Sequence, residues 1–86
     1  MTEDEIRARV IKTLSAIVPG LDAHALKPDV NLRDQIDIDS MDILNLLIAL
    51  HEEFDVDVPE SDAGKLGTVD GCVDYLAQAL RQRTQA

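Results

Sequence analysis

Residues 40–55, SMDILNLLIALHEEFD, keep their apolar side chains at helical spacing for about four turns, with no Gly or Pro to interrupt them. At ~100° per residue, Ile43, Leu46, Leu47, Leu50 and Phe54 fall within roughly ±60° of one direction and form a core stripe. Burying such a stripe in a chain of 86 residues requires other elements laid against it. Phe54 and Tyr75 are the only aromatic residues, so that core is built from Leu, Ile, Val and Ala. This favours packed helices over a sheet.

The flanking segments supply those helices. In TEDEIRARVIKTLSAIV, Thr2 and Glu5 form a capping box, and Ile6, Val10, Leu14 and Ile17 share a stripe until Pro19-Gly20 ends the pattern. Residues 19–39 are a long connection. Val30, Leu32, Ile36 and Ile38 are expected to pin it to the core, with a short helical turn around DVNLRD. Asp39 is the N-cap expected for the second long helix. A short third helix is predicted to begin at Pro59, taken as its first helical position. Thr68 caps a last helix with Val69, Cys72, Val73, Leu76 and Leu80 on one face. The tail RQRTQA, residues 81–86, is polar and expected to fray, with Arg81 and Arg83 near the negative end of the helix dipole. The predicted fold is all-α: a small four-helix bundle of three principal helices plus a short third. It forms a single domain over 1–86, with a core in about 3–80.

Seventeen acids against eight bases give a formal charge of −9, which argues against nucleic acid and anionic membranes as partners. Ten of the acids lie between Arg33 and Lys65, where there is no Lys or Arg. The middle of the chain is therefore the region expected to meet a basic protein surface. One cysteine, Cys72, excludes an internal disulfide. The charged N-terminus and the lack of a long apolar run lead to the expectation of a cytoplasmic protein, free-standing and monomeric.

The second long helix carries a further cluster. Met41, Leu44 and Ile48 point away from the core stripe, bordered by Asp42, Asn45, Glu52 and Asp55. Left uncovered, this apolar strip with an acidic border is a docking surface for partners. A serine, Ser40, stands at the start of the same helix. No Ser-His-Asp arrangement serves it: there is no G-x-S-x-G elbow, and His51 lies about 16 Å further along the helix at ~1.5 Å per residue. A calcium loop also fails, because Asp42 stands at the position that requires Gly and Ile48 at the one that requires Glu. No specific metal site is expected, and the chain is not expected to be an enzyme.

Three elements in order, Asp39-Ser40-Met41, ALHEEFDVDVP and TVDGCVDYL, resemble the free-standing (type II) acyl carrier proteins of fatty acid and polyketide synthesis. The likeness spans nearly the whole chain. It implies that a phosphopantetheinyl transferase attaches 4′-phosphopantetheine from coenzyme A to Ser40, with Asp39 supporting the magnesium-dependent transfer. Acyl groups would then travel as thioesters on that arm between acyl-transferring and acyl-processing enzymes with basic docking surfaces. By the same resemblance an acyl pocket includes Leu46, Leu50, Val58, Ala63, Leu66, Cys72 and Tyr75. Met41, Asn45 and His51 depart from the family's usual residues, which suits a carrier dedicated to a particular lipid or secondary metabolite. The alternative is an acidic helical adaptor that binds a protein partner without a prosthetic group.

Overall fold

The computed structural model describes the backbone of residues 1–85 and the side chains of residues 1–82. Its long helices are α1 (Glu3–Ile17), α3 (Ser40–Phe54) and α4 (Val69–Gln85), with a short α2 (Leu32–Gln35) in the first connection. Two 3₁₀ segments, Ala23–Ala25 and Glu60–Leu66, complete the order, and the longer one is the bundle's short third helix.

The capping box of α1 forms as the sequence dictates: Thr2 Oγ1 accepts from Glu5 N at 3.2 Å, and Glu5 Oε1 accepts from Thr2 N at 3.3 Å. α1 packs against both α3 and α4, and the longer 3₁₀ helix packs on α4. The core joins Ile6, Val10 and Leu14 of α1 to Leu46, Leu47, Leu50 and Phe54 of α3 and to Val69, Cys72, Val73 and Leu76 of α4. Leu32, Val56, Leu66 and Ala77 close it. No polar or charged side chain is buried among the described residues, so hydrophobic burial and shape hold the fold. Two surface ion pairs, Arg7–Asp70 at 2.9 Å and Arg9–Glu53 at 3.1 Å, staple α1 to α4 and to α3.

The long connection is held by polar groups as much as by apolar ones. Leu32 is buried and Ile36 and Ile38 pack on the core, whereas Val30 is half-buried outside it. Leu21 and Leu26 also pack on the core, beyond the expected set. Gln35 clasps the loop: its Oε1 accepts from Lys27 N at 2.8 Å, and its Nε2 donates to Lys27 O at 2.8 Å and Val30 O at 3.0 Å. Backbone bonds from Leu32 N to Gly67 O (2.8 Å) and from Asp70 N to Pro28 O (3.0 Å) fasten the loop to the start of α4. These bonds satisfy backbone groups that a loose loop would leave to water.

Two expectations are corrected. Pro59 is not the first helical residue: its ψ of 147° is extended, and it caps a 3₁₀ helix that starts at Glu60. The first bond of that helix, Asp62 N to Pro59 O at 2.9 Å, closes over three residues, so the turn is tighter than α. The second correction concerns the tail. α4 stays helical through Gln85, whereas the polar residues from Arg81 were expected to fray. The dipole role expected of Arg83 and the state of Ala86 lie outside the described residues.

Candidate functional site: the start of helix α3

α3 opens with Asp39 as its cap and Ser40 as its first residue. Asp39 Oδ1 accepts from Asp42 N at 3.0 Å, while Asp42 Oδ2 accepts from Asp39 N at 3.3 Å. This reciprocal box satisfies helix-end donors and fixes the angle at which the chain enters α3. With its neighbours engaged, Ser40 is exposed on the first turn, its side chain facing solvent. The helix end offers backbone N–H groups and a positive dipole, which suit a phosphate bound through that oxygen.

Among the described residues no hydrogen bond joins the Ser40 hydroxyl to a histidine. His51 is exposed near the other end of α3, where Nδ1–H donates to Val56 O at 2.9 Å and secures the chain after the helix. A serine hydroxyl without such a partner is a poor nucleophile. Among the described residues no group of three His, Cys, Asp or Glu side chains is placed to hold a metal ion.

Met41, Leu44 and Ile48 are 62%, 45% and 49% exposed, the largest exposed apolar side chains apart from Met1. The strip read from the sequence is therefore uncovered. Asn45 and Glu52 are exposed beside it, and Asp42 is half-buried by its role in the cap. Leu44 and Ile48 continue into a shallow groove of about 400 Å³ with Leu47, His51, Asp57, Val58 and Glu60.

A second cleft, of about 260 Å³, lies between α3, α2 and the longer 3₁₀ helix. Its walls are Ile43, Leu46, Ala63, Gly64, Leu66 and Gly67, with Asn31 and Arg33 also lining it. Ile43 is one turn from Ser40, so a chain tethered at Ser40 can reach the opening. Of the residues expected at an acyl pocket, Leu46, Ala63 and Leu66 line this cleft. Leu50 and Cys72 are fully buried in the core and do not line it, and Val58 belongs to the other groove. Tyr75 does not line the cleft; its hydroxyl donates to Asp62 Oδ2 at 2.7 Å. Asn31, Leu32, Arg33, Ile43, Gly64 and Gly67 line it without having been anticipated. Helix phase placed Ile43 in the core stripe, and a 3₁₀ segment has no α phase to read.

A wider concavity of about 550 Å³ opens on the long connection between Val18 and Asp37, but it includes no residue of α3. The 260 Å³ cleft and the 400 Å³ groove both begin about one turn along α3 from Ser40, at Ile43 and at Leu44.

Bundle, exposed serine and adjoining apolar cleft together define a carrier module, a protein that holds a cargo for other enzymes to work on. The chain belongs to the phosphopantetheine attachment-site family, whose pattern matches residues 9–76. It is 37% identical over 78 residues to the acyl carrier protein of Chlorobium luteolum, covering 91% of this chain and 99% of that one. It is 36% identical to that of Campylobacter jejuni over 75 residues, covering 87% and 91%. The fold matches the acyl carrier protein of Enterococcus faecalis with a TM-score of 0.77 at 28% identity, covering 92% of this chain and 99% of that chain. The function that follows is the carriage of acyl groups as thioesters on phosphopantetheine. Proteins of this kind work with the enzymes of acyl metabolism and are carriers rather than catalysts. No helix among the described residues is long and apolar enough to cross a membrane.

Proposed function

We propose that Ser40 is the residue that carries the phosphopantetheine arm, and that Asp39 assists its installation while capping α3. The observation that carries this reading is the exposed Ser40 hydroxyl at the first turn of α3, beside the apolar cleft. The arm supplies a reactive thiol, which the buried Cys72 cannot. The residues present suit the phosphodiester: a helix N-terminus faces it, and a transferase has open access.

The strip of Met41, Leu44 and Ile48, with Asp42, Asn45 and Glu52 around it, receives the transferase and the acyl-processing enzymes. Basic groups on those enzymes are steered by the acidic run between Arg33 and Lys65. The protein is itself not an enzyme and acts as a cytoplasmic monomer. Its one carrier domain spans residues 1–86, and its buried side chains run from Ile6 to Ala77. Cargo enters through Leu46, Ala63 and Leu66, and Leu50 and Cys72 form the floor exposed if the core opens further.

Intact mass after incubation with coenzyme A and a broad-range phosphopantetheinyl transferase tests the assignment. The wild-type chain gains the arm and Ser40→Ala does not. A mass gain on Ser40→Ala would move the attachment elsewhere, and no gain on either chain would favour the acidic adaptor that needs no prosthetic group.

A further inference from the structure

The cleft beneath α3 has an uneven chemistry. Ile43, Leu46 and Leu66 give it an apolar floor, and the glycines at 64 and 67 leave the facing wall without side chains. Its polar side chains are Asn31 and Arg33. Arg33 is the one Lys or Arg between Lys27 and Lys65, and among the described residues no ion pair engages it. Asn31 Oδ1 is already taken, accepting from Arg33 N at 2.9 Å as the cap of α2. Its Nδ2 turns toward Gly67, 3.1 Å from where a Cβ on that glycine would stand. The Gly67 carbonyl accepts from Leu32 N at 2.8 Å. The cleft is therefore lined by two residues whose side chains can only donate to a ligand: Arg33, which has no acceptor atom, and Asn31, whose amide oxygen is engaged. A plain hydrocarbon lying against them would displace their water and return no hydrogen bond.

We propose that this cleft selects short acyl chains that carry an accepting oxygen, a 3-oxo group or a carboxylate, with Arg33 and Asn31 as the groups that bind it. Size agrees: about 260 Å³, at about 30 Å³ per water-sized group, holds no more than about nine heavy atoms. Arg33 recognises the oxygen as a charge-assisted donor, while Ile43, Leu46 and Leu66 shelter the carbons next to the thioester. This inference rests on Ser40 bearing the arm.

The test loads the full chain from butyryl-, 3-oxobutyryl- and malonyl-coenzyme A with a broad-range transferase, checks each product by mass, and follows thioester hydrolysis. Arg33→Gln removes the charge. Asn31→Asp keeps an accepting oxygen for the α2 cap and removes the amide donor. Each variant should speed hydrolysis of an oxygenated arm about two- to fivefold, as expected for an exposed contact, and leave the butyryl arm unchanged. The side-chain N–H signals of Arg33 and Asn31 should shift with an oxygenated arm and stay in place with butyryl. An effect on the 3-oxo arm alone assigns the keto class, on the malonyl arm alone the carboxylate class, and on both their shared acceptor chemistry. Equal effects on all three arms, or on none, overturn the proposal while leaving Ser40 as the attachment point. Failure of the wild-type chain to gain mass overturns the attachment and this inference together.

Discussion

The Tyr75 hydroxyl donates to Asp62 Oδ2 across 2.7 Å and ties the longer 3₁₀ helix to α4. Lys65 Nζ, 3.4 Å from Asp62 Oδ1, holds the same carboxylate from within the 3₁₀ helix. The bond to Tyr75, opposed by burial and aided by Lys65, holds the Asp62 carboxyl below its ordinary value of 3.8. The carboxylate pushes the Tyr75 phenol up to about 12, with burial and Asp57 adding to the effect. A lowered carboxyl stabilises the fold above its unfolded value and is lost as pH falls through the folded one. A raised phenol stabilises below 10.0 and is lost as pH rises toward 12. Tyr75→Phe should therefore return the Asp62 titration toward 3.8, followed by carbon NMR of its carboxyl, and lower the melting temperature modestly at neutral pH. An unchanged Asp62 titration would mean that the two groups are not bonded in solution.

Two glycines near this junction should respond oppositely to alanine. A Cβ at Gly71 would meet the Lys65 carbonyl too closely to fit, and would lie 3.0 Å from Thr68 Oγ1. Its absence lets the end of the 3₁₀ helix lie against α4, and Thr68 Oγ1 accepts from Gly71 N at 2.9 Å there. Gly71→Ala should cost about 1–3 kcal/mol by overpacking, despite alanine's better helix propensity. A Cβ at Gly64 meets nothing within 4 Å, so Gly64→Ala should gain about 0.4–1 kcal/mol through the unfolded chain. Urea denaturation of the two variants measures both signs.

Cys72 should be a silent thiol. It is buried, its Sγ donates to Leu66 O at 3.4 Å, and burial pushes its pKa up to about 12. The reactive thiolate is thus suppressed at neutral pH, and the stability linked to the neutral thiol is present below 9.0 and lost as pH rises toward 12. Iodoacetamide should leave the apo chain unlabelled under native conditions and label it once in denaturant. Only a chain with the arm installed should react readily while folded. Native labelling of Cys72 in the apo chain would show that α4 and the 3₁₀ helix part more often than this packing implies.

The sequence was most readable where chain and helix periods coincide. Thr2, Asp39 and Thr68 each cap the helix assigned to them, because a cap depends on residues only three positions apart. The split of α3 into a buried stripe and the exposed Met41, Leu44 and Ile48 follows from ~100° per residue alone. Gln35 was not readable as a clasp, since its partners Lys27 and Val30 lie across a loop whose path no period describes. Pro59 was misplaced by one position because 3₁₀ and α helices share the same entry residues. Asn31, Gly64 and Gly67 were not readable as walls of the cleft beside Leu46 and Leu66, because they come to it through loop and 3₁₀ geometry.

Ile48 and Leu50 lie two positions apart on α3 and should separate docking from folding. Leu50 is fully buried, so Leu50→Ala should cost about 2–5 kcal/mol of stability by leaving a cavity. Ile48 is 49% exposed and sits between Leu44 and Glu52 on the outer face, so Ile48→Ala should change stability by no more than about 0.5 kcal/mol. If the outer face receives the transferase, Ile48→Ala loses an apolar anchor at the centre of that contact. Its kcat/KM for arm installation should fall about 5- to 30-fold, the range for one or two kcal/mol at a docking centre. Added salt should slow the wild-type reaction further by screening the acidic border. A full transfer rate on Ile48→Ala, with the fold verified by melting, would place the docking surface on another face of the bundle.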